Sequence, residues 1–457
     1  MKTLIKVLPG FICLMTSSAW ALDVRDLKGE KATSYFSSRG VEEKCVVPQK
    51  WPGGYYTDKD KKQEGKLCEQ DFYTNVATCP KYNSTNPGIL IIEPTDKYSR
   101  EVINASSCDT DEMGLKTESK FKQSLSCSYT PSIISYYHFS RLLGGAGRVP
   151  VSVLRTMDIA THRQLSNKAN AAALSGVIDQ TWKSFQAVHA NPARFPKVVD
   201  ESRSQIYGAL VANVKGETIY SEVNGFGDYD SRYPRFMKQR PFLNVASTQS
   251  LTQIAGSSSF EKVAPLAVQM KDVSDMVLLD TMLNQQDRIG NIHFKFVWYT
   301  QDASKPGTWT TEKSEAKVVI NKKTRARETV IPPEEKAAMT AKNAVLVKEM
   351  YLKDNDCGVA KENMMRQHSA LESVRHMSYK TYSHFMGLAK AMPLTVTRDY
   401  LSREFLFDAK DYASVAANTQ KARDILYNNC KSGKLKFDID LEDYAAGITP
   451  TAKSCDI

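Results

Sequence analysis

The sequence predicts an α+β protein of two lobes, the first rich in sheet and the second mostly helical, stabilised by disulfides. Three observations predict it. Strand-like apolar or alternating runs dominate up to about residue 220, and amphipathic helices dominate after it. Eight of the nine cysteines form an even set beyond an N-terminal leader. The 457 residues, less a leader of 21, suffice for one large two-lobed domain or two ordinary ones.

Residues 1–21 read as a secretory signal peptide: Lys2 and Lys6 give a basic start, "VLPGFICLMTSSA" is apolar, and Ala19-Trp20-Ala21 is a small-x-small cleavage site. No later stretch stays apolar for the roughly 18 residues a membrane span needs. The expected destination is export, to a periplasm or to the outside, with no membrane span after cleavage. The leader carries two lysines and no acid, so the formal charge falls from +10 to +8. That excess is spread along the chain rather than gathered into a basic run, so no nucleic-acid partner is expected. Cys45, Cys68, Cys79, Cys108, Cys127, Cys357, Cys430 and Cys455 remain, with no CxxC or Cys/His zinc spacing among them. Disulfides are expected.

Residues 22–85 are polar and Cys-bearing ("KWPGGYYTDKDKKQEGK") and read as a loop-heavy, disulfide-tied segment. Residues 86–215 read as the sheet-rich first lobe. "GILIIEPTD" has strand character, and "SKFKQSLSC" alternates at its start. "SIISYYHFSRLLGG" reads as a helix with a glycine stop, "RVPVSVLRTMD" as a strand, and residues 161–205 as a helical insertion. "QIYGALVANVKGETIYSEV" gives one or two more strands. Residues 216–457 form the second lobe. "SDMVLLDTMLNQQ" is an apolar helix, "NIHFKFVWYT" a strand, residues 302–330 an exposed hairpin or insertion, and "PPEEKAAMTAKN" a helix headed by proline. "AVLVKEMYLKDND" is a strand ending in acids. "SYKTYSHFMGLAKAM" and "DYASVAANTQKARDILYNNC" are amphipathic helices.

Three stretches carry chemistry. In "MLNQQDRIGNIHF" a helix delivers Asp287 to its end and Asn291 follows four residues on. A carboxylate that orients a substrate hydroxyl and an amide that holds a metal ion, a few residues apart, are what phosphoryl transfer requires. Arg288 would brace this loop. An ordinary helix C-terminal turn, with Gly290 at positive φ, is the plain alternative. In "MYLKDNDCGV" a strand ends at Asp354 and Asp356, hard oxygen donors for Mg or Mn. In Lys120-Phe121-Lys122 the alternation lets a lysine face a cleft and pair with phosphate oxygens, unless both lysines are simply solvated.

Taken in order, "YYHFSRLLGGAGRVPVSVLR" and "LLDTMLNQQDR" resemble the secretory-pathway kinases related to the Golgi casein kinase. Arg141-Leu142-Leu143, Arg148-Val149-Pro150 and Leu278-Leu279-Asp280 fit that family's patches, and Asp280 precedes Asp287 by seven residues as its pattern requires. Met350 to Asp356 looks like its metal-holding strand, where HipA-type and phosphoinositide kinases are similar. Phe121-Lys122 looks like its Phe-Lys. The resemblance implies an atypical protein-kinase-like fold. Its expected cofactors are ATP with Mg or Mn. Asp287 would be the catalytic acid, Lys122 the nucleotide-binding lysine, and Asp354 or Asp356 a metal ligand with Asn291. A protein Ser or Thr would be the acceptor. The sequence departs from the pattern at Ile289, where the family has His, and at Ile292, where many kinases have Asn. Ile133 stands where the lysine's glutamate partner belongs, Glu118 being a candidate substitute, and no GxGxxG loop precedes Lys122. These departures keep a second expectation open: a catalytically inactive kinase-like protein, or another exported binding protein.

Overall fold

The computed structural model describes residues 22–321, 326–360 and 367–457; the leader expected over residues 1–21 lies outside the described residues. The first lobe is built on a seven-stranded antiparallel sheet. Its strands are β1 (Lys31–Phe36), β2 (Glu42–Val47), β3 (Ala77–Pro80), β4 (Gly88–Ile92), β5 (Thr117–Gln123), β6 (Ser152–Asp158) and β7 (Gln205–Ala212), in the order β1-β2-β6-β7-β5-β4-β3. Every residue of β6 is buried, so both faces of the sheet are covered there. Its helices are α1 (Asp58–Leu67), α2 (Arg100–Ala105), α3 (Thr130–Leu142), α4 (Ile159–Ala171) and α5 (Gly176–Ala190). α3 opens on Pro131 in its first turn, stops just before Gly144-Gly145, and is buried from Thr130 to Arg141. α4 and α5 are the helical insertion.

The Cys-bearing segment is more regular than its composition predicts. It supplies β1, β2, α1 and β3, and so both edges of the sheet. β1 is largely exposed, and an edge strand that faces water is kept polar, which hides it among loop residues. α1 begins with a capping box, Thr57 with Asp60, and Asp60 also binds Arg141 of α3 at 2.7 Å.

The second lobe is mainly helical around Phe260–Met282, whose last turns from Asp272 on are buried. Beside it lies a four-stranded sheet of β8 (Thr218–Ile219), β9 (His293–Gln301), β10 (Trp309–Lys313) and β13 (Val345–Tyr351), while β11 (Lys317–Ile320) and β12 (Arg327–Val330) form the exposed hairpin. Arg148, at the end of the glycine turn after α3, spans the lobes to Asp272 and Glu349. No helix of the described residues is long and apolar enough to cross a membrane.

The eight cysteines form four disulfides: Cys45–Cys68, Cys79–Cys108, Cys127–Cys357 and Cys430–Cys455. Oxidised cysteines in this number fit an exported protein. Three of the bridges close loops with sequence separations of 23, 29 and 25, whereas Cys127–Cys357 spans 230 residues and ties the lobes together. Loop-closure entropy grows with the length closed, so replacing Cys127 and Cys357 by alanine is expected to cost about 5 kcal/mol and replacing Cys45 and Cys68 about 3 kcal/mol. Denaturant midpoints of the two double variants check the order; a larger loss for the short loop would contradict it.

Candidate active site

Alternation along β5 places Glu118, Lys120 and Lys122 on one face and Ser119, Phe121 and Gln123 on the other. Phe121 is fully buried in the core, which fixes the strand's rotation and turns Lys122 into the cleft. The Lys122 ammonium is 2.8 Å from Asp356 Oδ2 and 3.7 Å from Asp354 Oδ1. Burial alone would lower this lysine's pKa, but the two carboxylates overcome it and the pKa is raised. Burial likewise pushes the Asp354 carboxyl up. Lys122, Lys353, Lys81 and Lys120 outweigh it and hold that pKa at about 2.

The acids stand just past the end of β13. Asn355, between them, folds inward: its Nδ2 donates to the Leu352 carbonyl at 2.6 Å and its Oδ1 accepts from Arg288 Nη2 at 2.7 Å. Two residues at the start of α3 fix the same stretch. The Tyr129 N–H donates to the Asp356 carbonyl at 2.9 Å, and Ser132 Oγ donates to the Asn355 carbonyl at 2.6 Å. Gly358 is required by this packing, because a Cβ there would lie 2.6 Å from Ser132 Oγ and 2.7 Å from the Leu283 carbonyl.

Asp287 is delivered by the helix Phe260–Met282 and held by its neighbour Arg288. Arg288 is 1% exposed; its Nε lies 2.9 Å from Asp280 Oδ2, and its Nη1 donates to the Asp354 carbonyl at 3.2 Å. Tyr136 of α3 donates to the other Asp280 oxygen at 2.6 Å. The Gln286 N–H bonds the Cys357 carbonyl at 3.0 Å, so the loop is pinned to the acid stretch on both sides of Asp287. The Asp287 carboxylate, part-buried, sits 3.0 Å from Arg232 Nη1. Burial pushes its pKa up, Arg232 pulls it down, and Asp356 and Asp354 push it up again, for a net rise. Asn291 Nδ2 donates to the Asp287 carbonyl at 2.8 Å, which leaves the amide oxygen as the end available to a ligand. Gly290 has φ +106°, a backbone conformation that favours glycine, and a Cβ there would crowd Arg232 Cζ at 3.0 Å.

The structure thus brings Lys122, Asp354 and Asp356 into contact and Asp287 into their electrostatic range. It does not place Glu118 as the lysine's partner. Glu118 is turned to Lys66 at 3.1 Å and to Lys215, and Ile133 is buried in the core. The acid pair itself takes the partner's place. Tyr136, Arg232 and Asn86, whose Nδ2 reaches Asp356 Oδ2 at 3.3 Å, carry no local sequence signal. Their partners lie far along the chain, 144 residues away for Tyr136. A cavity of about 580 Å³ lies along the same β5 face, at its Glu118 end, with Tyr55, Asn213, Lys215, Lys295 and Tyr351 in its walls.

Among the described residues no group of three or more His, Cys, Asp or Glu is arranged to hold a metal ion. Asp354 and Asp356 offer two carboxylates, and donors of that kind suit Mg or Mn, which take one or two carboxylates and complete their shell with water and substrate phosphates. The side-chain contact of Asn291 is with the Asp287 carbonyl.

No family model and no curated protein matches this chain. Among solved structures it is similar to the Golgi casein kinase with Mn/ADP bound, at 11% identity and a TM-score of 0.42, over 81% of this chain and 76% of that one. A second structure of the Golgi casein kinase is similar at 12% identity and a TM-score of 0.42, over 83% and 78%.

The two aspartates are expected to oppose each other in stability. Asp354 has a depressed folded pKa, so its contribution is complete above its ordinary value of 3.8 and lost as pH falls towards about 2. Asp287 has a raised pKa, so its ionised form destabilises the fold above that pKa. Asp354→Asn should therefore lower the melting midpoint at pH 7, with the difference closing near pH 2, and Asp287→Asn should raise it at pH 7. Melting curves across pH check both signs. Arg288→Ala strands the buried Asp280 carboxylate and is expected to cost about 3–5 kcal/mol.

Proposed function

We propose that this chain is an exported kinase-like phosphotransferase that moves the γ-phosphate of ATP to a hydroxyl, with Mg or Mn. The observation that carries the reading is the Lys122 ammonium set between Asp354 and Asp356, with Asp287 close enough to feel both charges. Lysine, metal-holding acids and a poised carboxylate are the parts phosphoryl transfer requires, because its barrier falls mainly through positioning and charge compensation.

Lys122 would pair with phosphate oxygens in place of part of its contact with the acids. A divalent cation held by Asp354, Asp356 and Asn291 would supply charge neutralisation to the phosphates. Asp287 would accept the proton of the attacking hydroxyl as the new O–P bond forms and the bond from the γ-phosphorus to the β–γ bridging oxygen breaks, releasing ADP. Its raised pKa suits a proton acceptor. The resemblance of the sequence to secretory-pathway protein kinases favours a protein Ser or Thr over a sugar or lipid hydroxyl. Four disulfides fit a periplasmic or secreted destination.

One observation favours the inactive alternative. Arg232 already occupies the Asp287 carboxylate at 3.0 Å, and an acid held in an ion pair is a poorer base.

Thermal unfolding of the oxidised protein with Mn or Mg plus ATP tests the site. The midpoint should rise, since a ligand that binds only the folded state stabilises it, and an Asp354→Ala, Asp356→Ala variant should lose the rise. Transfer of labelled γ-phosphate to a protein acceptor then separates the readings. Asp287→Asn should abolish transfer and keep the nucleotide-dependent rise; a wild-type protein that shows the rise without transfer is the inactive one. No rise at millimolar nucleotide would sink the phosphotransferase reading and favour the inactive or binding protein.

A further inference from the structure

Lys122 is only one of four lysines in the cleft. Lys120 shares its face of β5 two residues away. Lys353 immediately precedes Asp354 and lies within ion-pair distance of Glu217, at 2.5 Å. Lys81 follows the end of β3, in the turn that leads to β4. That turn is fixed over the acids from two sides. Asn86 reaches Asp356 Oδ2 at 3.3 Å, and the fully buried Trp182 of α5 donates from Nε1 to the Lys81 carbonyl at 3.4 Å. The helical insertion, which has no other visible part in the cleft, thereby anchors the backbone of Lys81.

Lys122 and Lys353 have carboxylate partners. Among the described residues, Lys81 and Lys120 have none within 4.0 Å, although both are part-buried. A fold does not gather ammonium groups in a part-buried cleft for stability: like charges repel and burial removes their water. The effect is visible in Lys120, whose pKa falls to about 8 through burial and then through repulsion from Lys81, Lys353 and Lys122. Lys81 is lowered by burial and by Lys122, which together outweigh the pull of Asp354 and Asp356. An arrangement that is unfavourable when empty is explained when an anion fills it.

We infer that Lys81 and Lys120 are phosphate-binding residues, which grip the polyphosphate chain of the nucleotide beside Lys122. They would do with two cations what the absent glycine-rich loop does with backbone N–H groups in other kinases. The β3–β4 turn, "KYNSTNPG", lacks the glycines for such a loop but brings Lys81 and Asn86 to the same place. This inference rests on the nucleotide reading of the cleft.

The test is binding, by titration calorimetry of the oxidised protein with Mn plus AMP, ADP or ATP, and with inorganic tripolyphosphate, for wild type, Lys81→Ala, Lys120→Met and the double variant. Removing a charge-assisted hydrogen bond to phosphate should weaken ATP binding about tenfold or more per lysine, and AMP binding less. A second readout excludes a merely structural role. Because burial and the neighbouring lysines outweigh the pull of the acids on both ammonium groups, both variants should melt no lower than wild type without ligand. ATP binding unchanged in the double variant overturns the inference and leaves the nucleotide reading intact. Tripolyphosphate binding that depends on the lysines, without ATP binding, keeps the lysine site and overturns the nucleotide reading. Binding of neither ligand overturns both.

Discussion

The Lys122 ammonium is 6% exposed and stands between two carboxylates from the other lobe. A cation so deep cannot be left alone, since an unpaired buried charge destabilises by several kcal/mol. The end of β13 is held against β5 accordingly. The disulfide between Cys127, a few residues beyond β5, and Cys357, next to Asp356, adds a covalent tie at the same point. α3 runs out of that tie, and its start holds the acid stretch by Tyr129 and Ser132.

Arg288 makes the second half of the site depend on the first. It binds Asp280 with two nitrogens, bonds the Asp354 carbonyl, and reaches the Asn355 side chain. A guanidinium has enough fixed donors to serve all three at once, which a lysine could not. Asp287, its neighbour, inherits its position from these bonds and keeps its own carboxylate towards the cleft. This arrangement separates rigidity from chemistry: Asp280 and Arg288 are buried and satisfied, while Asp287 and Asp354 remain part-exposed.

Much of this was legible in the sequence because it is periodic or contiguous. The alternation of β5, the apolar run before Asp287 and the strand ending in acids are local patterns, and the structure places each as such an element. Asp287, Asn291, Lys122, Asp354 and Asp356 could be named because each sits at or near the end, or on the cleft face, of one of these. The strands of the Cys-bearing segment were hidden because β1 is a polar edge. The partner of Lys122 was hidden because it lies 234 residues away; the position where a helix should offer a glutamate holds Ile133, and Glu118 is engaged elsewhere. Arg232 and Tyr136 meet the site only through the folded chain, and Lys81 and Lys120 look like ordinary surface lysines until their lack of partners is seen.

On the proposed function, the aspartate pair beneath Lys122 would hold a divalent cation together with a nucleotide. Electron paramagnetic resonance of Mn(II) tests it directly. With ATP and the oxidised protein in excess, the signal of hydrated Mn(II) should give way to a broadened signal distinct from that of Mn–ATP in buffer, and an Asp354→Asn variant should restore the Mn–ATP spectrum. A spectrum identical to Mn–ATP alone, at protein concentrations well above the metal, would contradict the account.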